Sequence, residues 1–129
     1  MPTEIVTEVQ DRPGLLADIG ELFGKRNINI TAAAAFTHNG KGYLHFVVDD
    51  AEPATGLLKE CGCKIITVRE VLSVSLDDQP GELGRYARRL ADAGVNILSF
   101  YTGGSSGGDK EVIIAVDKIA AAREVQRGG

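Results

Sequence analysis

The chain has no tryptophan, three tyrosines and four phenylalanines, so aromatics make up only 5% of its 129 residues. Basic side chains number 14 against 18 acidic ones, a formal charge of −4. Nucleic-acid binders use stacking aromatics and a basic face; both are in short supply, so no nucleic-acid partner is expected. Arg85, Arg88 and Arg89 form a short basic stripe, read as a solvated helix face. No apolar run approaches the roughly 20 residues that span a bilayer, so no membrane partner is expected. Met1-Pro2-Thr3-Glu4 opens a strand-like segment without the regions of a secretion signal. Cysteine is scarce as well. Cys61 and Cys63 stand too close together for an easy disulfide and are too few for a zinc site. Two reduced thiols fit a cytoplasmic protein.

Constellations that carry chemistry are also missing. An enzyme needs a nucleophile with its base, paired carboxylates or a cofactor loop. Asp49-Asp50 and Asp77-Asp78 are neighbours whose side chains diverge on a strand or turn, and no Cys-His or Ser-His arrangement stands out. His38 and His45 have no third metal ligand at a suitable spacing. The glycine-rich segment Gly103 to Asp109 precedes a strand, whereas a phosphate loop opens a helix, so it reads as a hairpin tip. No catalytic residue, metal or cofactor is expected, and the chain reads as a non-enzyme.

What is present is a repeat. Asp11-Arg12-Pro13-Gly14 returns as Asp78-Gln79-Pro80-Gly81, 67 residues later, and the offset holds without a gap to Ile30 and Ile97. It pairs Leu16 with Leu83, Asn29 with Asn96 and Asn27 with Gly94. Asn and Gly are the two residues that readily adopt the left-handed conformation that ends a helix. One backbone event is thus written twice in different letters, which points to duplication.

Each copy reads as strand, helix, two strands, helix. Ile5, Thr7 and Val9 alternate with Val6, Glu8 and Gln10, as Leu72, Val74 and Leu76 alternate with Ser73, Ser75 and Asp77. A period of two with one wet face predicts a half-buried strand. Leu16, Ile19, Leu22 and Phe23 recur at helical spacing, as do Leu83, Tyr86 and Leu90. Four consecutive alanines, Ala32 to Ala35, favour helix, but their counterpart Ile97 to Thr102 is strand-like, so Ile30 to Thr37 is read as a strand. Further strands are expected over Tyr43–Val48 and Glu111–Val116, and helices over Pro53–Cys61 and Lys118–Gln126. A fourth strand, Lys64–Glu70, closes the first copy; the second reaches Gly129 where its own fourth strand would start. The fold class is therefore α+β, with two tandem ferredoxin-like βαββαβ repeats over residues 1–70 and 71–129. Each has an antiparallel sheet with helices on one face, the second lacking its fourth strand.

The Asp-x-Pro-Gly turn, followed downstream by Asn-Ile at 29–30 and again at 96–97, resembles the ACT domain. That resemblance covers residues 4 to 126 and implies a regulatory domain that senses a free amino acid, often in tandem or in pairs. It also departs from the serine-sensing members. They carry Asn where Asp11 and Asp78 stand, with His two residues earlier, where this chain has Val9 and Leu76.

The chemistry of such a turn follows from elementary considerations. A helix start leaves backbone N–H groups without partners and carries partial positive charge, which suits a carboxylate. Pro13 and Pro80 fix φ, and Gly14 and Gly81 present no side chain to an approaching ligand. The N–H groups of Gly14, Leu15 and Leu16, or of Gly81, Glu82 and Leu83, are thus candidate carboxylate donors. Arg12, Ile30 and Gln79 belong to the same segments. Asn29 or Asn96 is expected at an adjoining strand, and Asp11, Asn29 or a carbonyl is expected to accept from the ligand's ammonium. Asp11 and Asp78 are also expected to cap their helices. Leu15 in the first copy, against Glu82 in the second, favours an apolar amino acid at the first. Gly20 to Ile30 also resembles regulatory subunits of amino-acid biosynthetic enzymes, so such an enzyme is a second partner class.

Assembly follows from the missing strand. Val71 to Asp77 would have an unpaired edge, and the second sheet is apolar on both faces, with Ile97 and Tyr101 on one and Leu98 and Phe100 on the other. A homodimer is expected, with the edge or outer face of the second repeat filled by the first repeat or by the partner subunit.

Overall fold

The computed structural model describes residues 2–128, which form two compact units meeting between Arg69 and Glu70. The first contains β1 (Thr3–Gln10), α1 (Leu15–Lys25), β2 (Ala32–His38), β3 (Lys41–Val48), α2 (Ala51–Glu60) and β4 (Lys64–Glu70). Its sheet has the order β2-β3-β1-β4, the arrangement of a split βαβ fold. The second contains β5 (Leu72–Asp77), α3 (Glu82–Asp92), β6 (Ile97–Ser106), β7 (Asp109–Val116) and α4 (Ile119–Gly128), with sheet order β5-β7-β6. This sheet has three strands, and β5 lies at its edge. None of the described helices is long and apolar enough to cross a membrane.

The alanine run is a strand because its neighbours make it one. α1 stops where Asn27 takes φ 56°, and Thr31 then donates its N–H to the Val47 carbonyl. From there the ladder runs from Ala32 opposite Val47 to His38 opposite Lys41. Asn39 and Gly40, at φ 52° and 78°, close the hairpin as a two-residue turn with both central φ positive. Pairing with β3 overrides the helix propensity of alanine.

Inward from the first sheet, Ile5, Val9, Leu44, Phe46 and Val48 pack against Leu15, Ile19 and Phe23 of α1 and Leu57 and Leu58 of α2. Phe23 and Phe46 meet with ring centroids 5.4 Å apart. In the second unit, Leu72, Val74, Leu76, Val112 and Ile114 pack with Tyr86 and Leu90 of α3 and Ala122 of α4.

Two expectations are corrected. The second face of β1 is wet only toward its end: Gln10 is exposed and Glu8 half-buried, but Val6 is buried, and so is Glu4, whose carboxylate accepts from Arg69 Nε at 2.7 Å and lies 3.0 Å from His45 Nδ1. A buried carboxylate persists only when paired in this way. Leu16 and Leu83 are not core residues either; they are 56% and 45% exposed, while Leu15 turns inward.

Candidate functional site

The two Asp-x-Pro-Gly segments form the same turn. Leu15 N–H donates to the Arg12 carbonyl at 3.3 Å, and Gly14 at the third position takes φ 85°, ψ −5°. Glu82 N–H donates to the Gln79 carbonyl at 3.2 Å, with Gly81 at φ 86°, ψ −11°. This is type II geometry: proline suits the second position, and the third requires a positive φ that glycine alone adopts without strain. Gly14 and Gly81 are therefore dictated by backbone conformation, besides leaving the turn uncovered.

The turn changes which groups are available. The N–H groups of Leu15 and Glu82 close it and leave the proposed donor sets. Neither Asp11 nor Asp78 caps its helix, since the residues preceding α1 and α3 are Gly14 and Gly81 and no side chain caps either end. Among the described residues, the N–H groups of Gly14, Leu16 and Ala17 meet no acceptor, and neither do those of Gly81, Leu83 and Gly84. Backbone bonds from Asp11 N–H to the Gly40 carbonyl (3.1 Å) and from Asp78 N–H to the Gly108 carbonyl (3.0 Å) tie each turn to the neighbouring hairpin.

In the first unit this hairpin completes a cleft of about 520 Å³. One wall is Asp11, Arg12, Gly14, Leu15, Leu16 and Ala17; the other is Ala35, Phe36 and Thr37 from the end of β2, with Gly42 and Leu44 from β3. Ala35 faces Leu44, and Thr37 faces Gly42 across the ladder. These small residues leave the flank of α1 open beside the edge strand. The Phe36 ring itself stacks on Tyr43, with centroids 5.6 Å apart. Arg12 is fixed by Nη2 donating to Asp18 Oδ2 at 2.6 Å and Nη1 donating to the Pro13 carbonyl at 3.2 Å. No described side chain pairs with the Asp11 carboxylate.

Asn29 and Ile30 are not part of this cleft. They precede the start of β2, whereas its far end lines the cleft, about 20 Å away along a strand that rises about 3.3 Å per residue. Asn29 is exposed, and Ile30 packs on the core. Asn96 has the equivalent place and is engaged there, its N–H donating to Asp117 Oδ1 at 2.9 Å and its carbonyl accepting from Asp117 N–H. Conversely, Ala17, Ala35, Phe36, Thr37, Gly42 and Leu44 line the cleft without having been singled out by sequence. The Asn39-Gly40 turn was the available signal, because it fixes the register that brings 35–37 and 42 beside Asp11.

The family model of the ACT domain matches residues 3–60. The first repeat is an ACT domain. The second lies outside those residues and repeats its plan with one strand fewer. A solved protein of Bacteroides thetaiotaomicron superposes with a TM-score of 0.84 at 23% identity, covering 98% of this chain and 86% of that one. The regulatory subunit of aspartate kinase from Thermus thermophilus superposes at 0.73 with 22% identity, covering 98% and 91%. Aspartate kinase from Synechocystis gives 0.75 at 18%, covering 98% of this chain and 24% of that one. At these identities the likeness is one of fold. No curated protein matches the chain in sequence.

Within the ACT repeat the cleft combines three chemical resources. Unmet N–H groups at a helix start suit a carboxylate, an unpaired carboxylate suits an ammonium, and Leu15, Leu16, Ala35 and Leu44 offer apolar surface. Among the described residues, no group of three His, Cys, Asp or Glu side chains could hold a metal ion. Burial pushes the Cys61 and Cys63 thiols above their ordinary range, which is the opposite of what a nucleophilic cysteine needs.

Proposed function

We propose that this chain is a non-catalytic regulatory protein that binds a free amino acid at the strand–helix turn of its ACT repeat. One observation carries this reading: at the first turn, unmet helix-start N–H groups and the unpaired Asp11 carboxylate share one cleft. A zwitterion meets both, its carboxylate toward Gly14, Leu16 and Ala17 and its ammonium toward Asp11, with its side chain along Leu15, Leu16, Ala35 and Leu44. The apolar wall favours a branched-chain or other apolar amino acid. The test is a thermal-shift screen against the twenty amino acids, followed by calorimetry. A ligand that binds only the folded state must raise stability, and a protein that responds to none of them is not such a sensor.

A second reading has support in the likeness of fold to the regulatory subunit of Thermus thermophilus aspartate kinase. On this reading the chain is a regulatory subunit that docks on an enzyme of amino-acid biosynthesis. A tagged chain should then co-purify stoichiometrically with one such enzyme; isolation of the chain alone leaves the free-standing sensor.

A further inference from the structure

We infer that only the first of the two turns takes the free amino acid, because at the second the acidic residue is already paired and the turn is overlaid by side chains of its own. The inference rests on the amino-acid-binding reading above, and on comparing structurally equivalent positions. Gly42 lies opposite Val9 in the first ladder, and Lys110 lies opposite Leu76 in the second, so Lys110 stands where Gly42 leaves the cleft open. Its Nζ is 3.1 Å from Asp78 Oδ1, and Asp78 is the counterpart of Asp11. The carboxylate that would receive a ligand's ammonium therefore already holds one.

The carboxylate end keeps its unmet N–H groups but is more closely overlaid by side chains. Glu82 replaces Leu15 as the first residue of its helix and accepts from Arg85 Nη2 at 2.6 Å. The Arg85 guanidinium lies so close over the turn that a Cβ on Gly81 would sit 3.1 Å from its Nη1. At the first turn the corresponding guanidinium is that of Arg12, paired with Asp18, whose Nη1 would lie 3.6 Å from a Cβ on Gly14, so the second turn is the more tightly covered of the two. Beside it, Asp77 lies opposite Asp109, where the first repeat has Gln10 opposite Lys41. An incoming α-carboxylate meets like charge at the second turn and a mixed, open site at the first.

Titration calorimetry of the full chain with each of the twenty L-amino acids tests this. The expected result is one equivalent of the binding amino acid per chain. Leu16→Glu and Leu83→Glu separate the turns, since both side chains are exposed and a glutamate in the first turn of a helix suits its dipole. Leu16→Glu should weaken binding at least tenfold and Leu83→Glu less than twofold, with unchanged circular dichroism. Asp11→Asn and Asp78→Asn should divide the same way. Two equivalents, or a loss on Leu83→Glu with Leu16→Glu unaffected, overturns the assignment while leaving amino-acid binding standing. No heat with any amino acid overturns both.

Discussion

At the scale of single residues, the two repeats differ most in charge around equivalent turns. Lys41 pairs with Glu8 at 2.8 Å in the first; in the second the matching positions are Asp109 and Ser75. Asp77 consequently has its carboxyl pushed above the ordinary range, first by hydrogen bonding to Asp109 and then by the charges of Asp109 and Glu82. A carboxyl that holds its proton more tightly in the folded chain than in the unfolded one stabilises the fold while protonated. That contribution is fully present below the ordinary carboxylate pKa and is lost as pH rises through the raised one. Asp77→Asn, whose amide can donate to Asp109 at any pH, should therefore raise the melting temperature at pH 7 and leave it unchanged at pH 3. Asp77 is exposed and Asp109 only half-buried, so added salt should shrink the gain. An equal shift at both pH values would show that the carboxyl pair is not its source. Leu16 teaches a related lesson. Its apolar character and helical spacing fitted the core, yet it lies beside the cleft. A one-position difference in where α1 begins decides between those fates, and spacing alone does not set it.

Secondary-structure elements were far more legible. The helix ends are the clearest case, because Asn27 at φ 56° and Gly94 at φ 76° perform the same left-handed step. A residue with a Cβ is strained there, and Asn tolerates it better than most. Asn27→Ala should lower stability by about 1 kcal/mol, and Asn27→Gly should change it by only a few tenths. Urea unfolding of both variants checks this. Equal destabilisation by the two would mean that the side chain of Asn27, not its backbone conformation, matters. The strand of alanines was also recovered, through its better-marked twin Ile97 to Thr102, since the residues themselves favour helix. The wet face assigned to β1 holds at Gln10 and fails toward the start of the strand for the converse reason. Glu4 looks solvated in a sequence, and nothing local reveals that Arg69, 65 positions later, provides its counter-charge. The candidate site was half legible. Its turn is written in Pro-Gly, but its other wall depends on β2 lying beside β3, and this is also why Asn29 falls at the wrong end of the strand.

For the whole molecule, the remaining question is what meets the open edge of the second sheet. β5 pairs only with β7, so its outer backbone groups are unmatched within the sheet. Natural sheets blunt such edges with charge, bulges or a cover. Here charge gathers at one end, at Asp77, while Leu72, Val74 and Leu76 in the body of the strand are buried. At the opposite edge, β6 leaves Leu98 50% and Phe100 36% exposed. The argument for association rests on these two edges. The expected outcome is a homodimer, with sedimentation equilibrium at micromolar concentration giving twice the chain mass. Phe100→Asp should shift that equilibrium toward monomer if β6 is the joining edge. Ser73→Pro removes a backbone donor from β5 and should do so if β5 is. Circular dichroism distinguishes dissociation from unfolding in either variant. A wild-type protein that sediments as a single chain at these concentrations would show that the edge is protected by its charge and short length, and that the regulatory unit is the monomer.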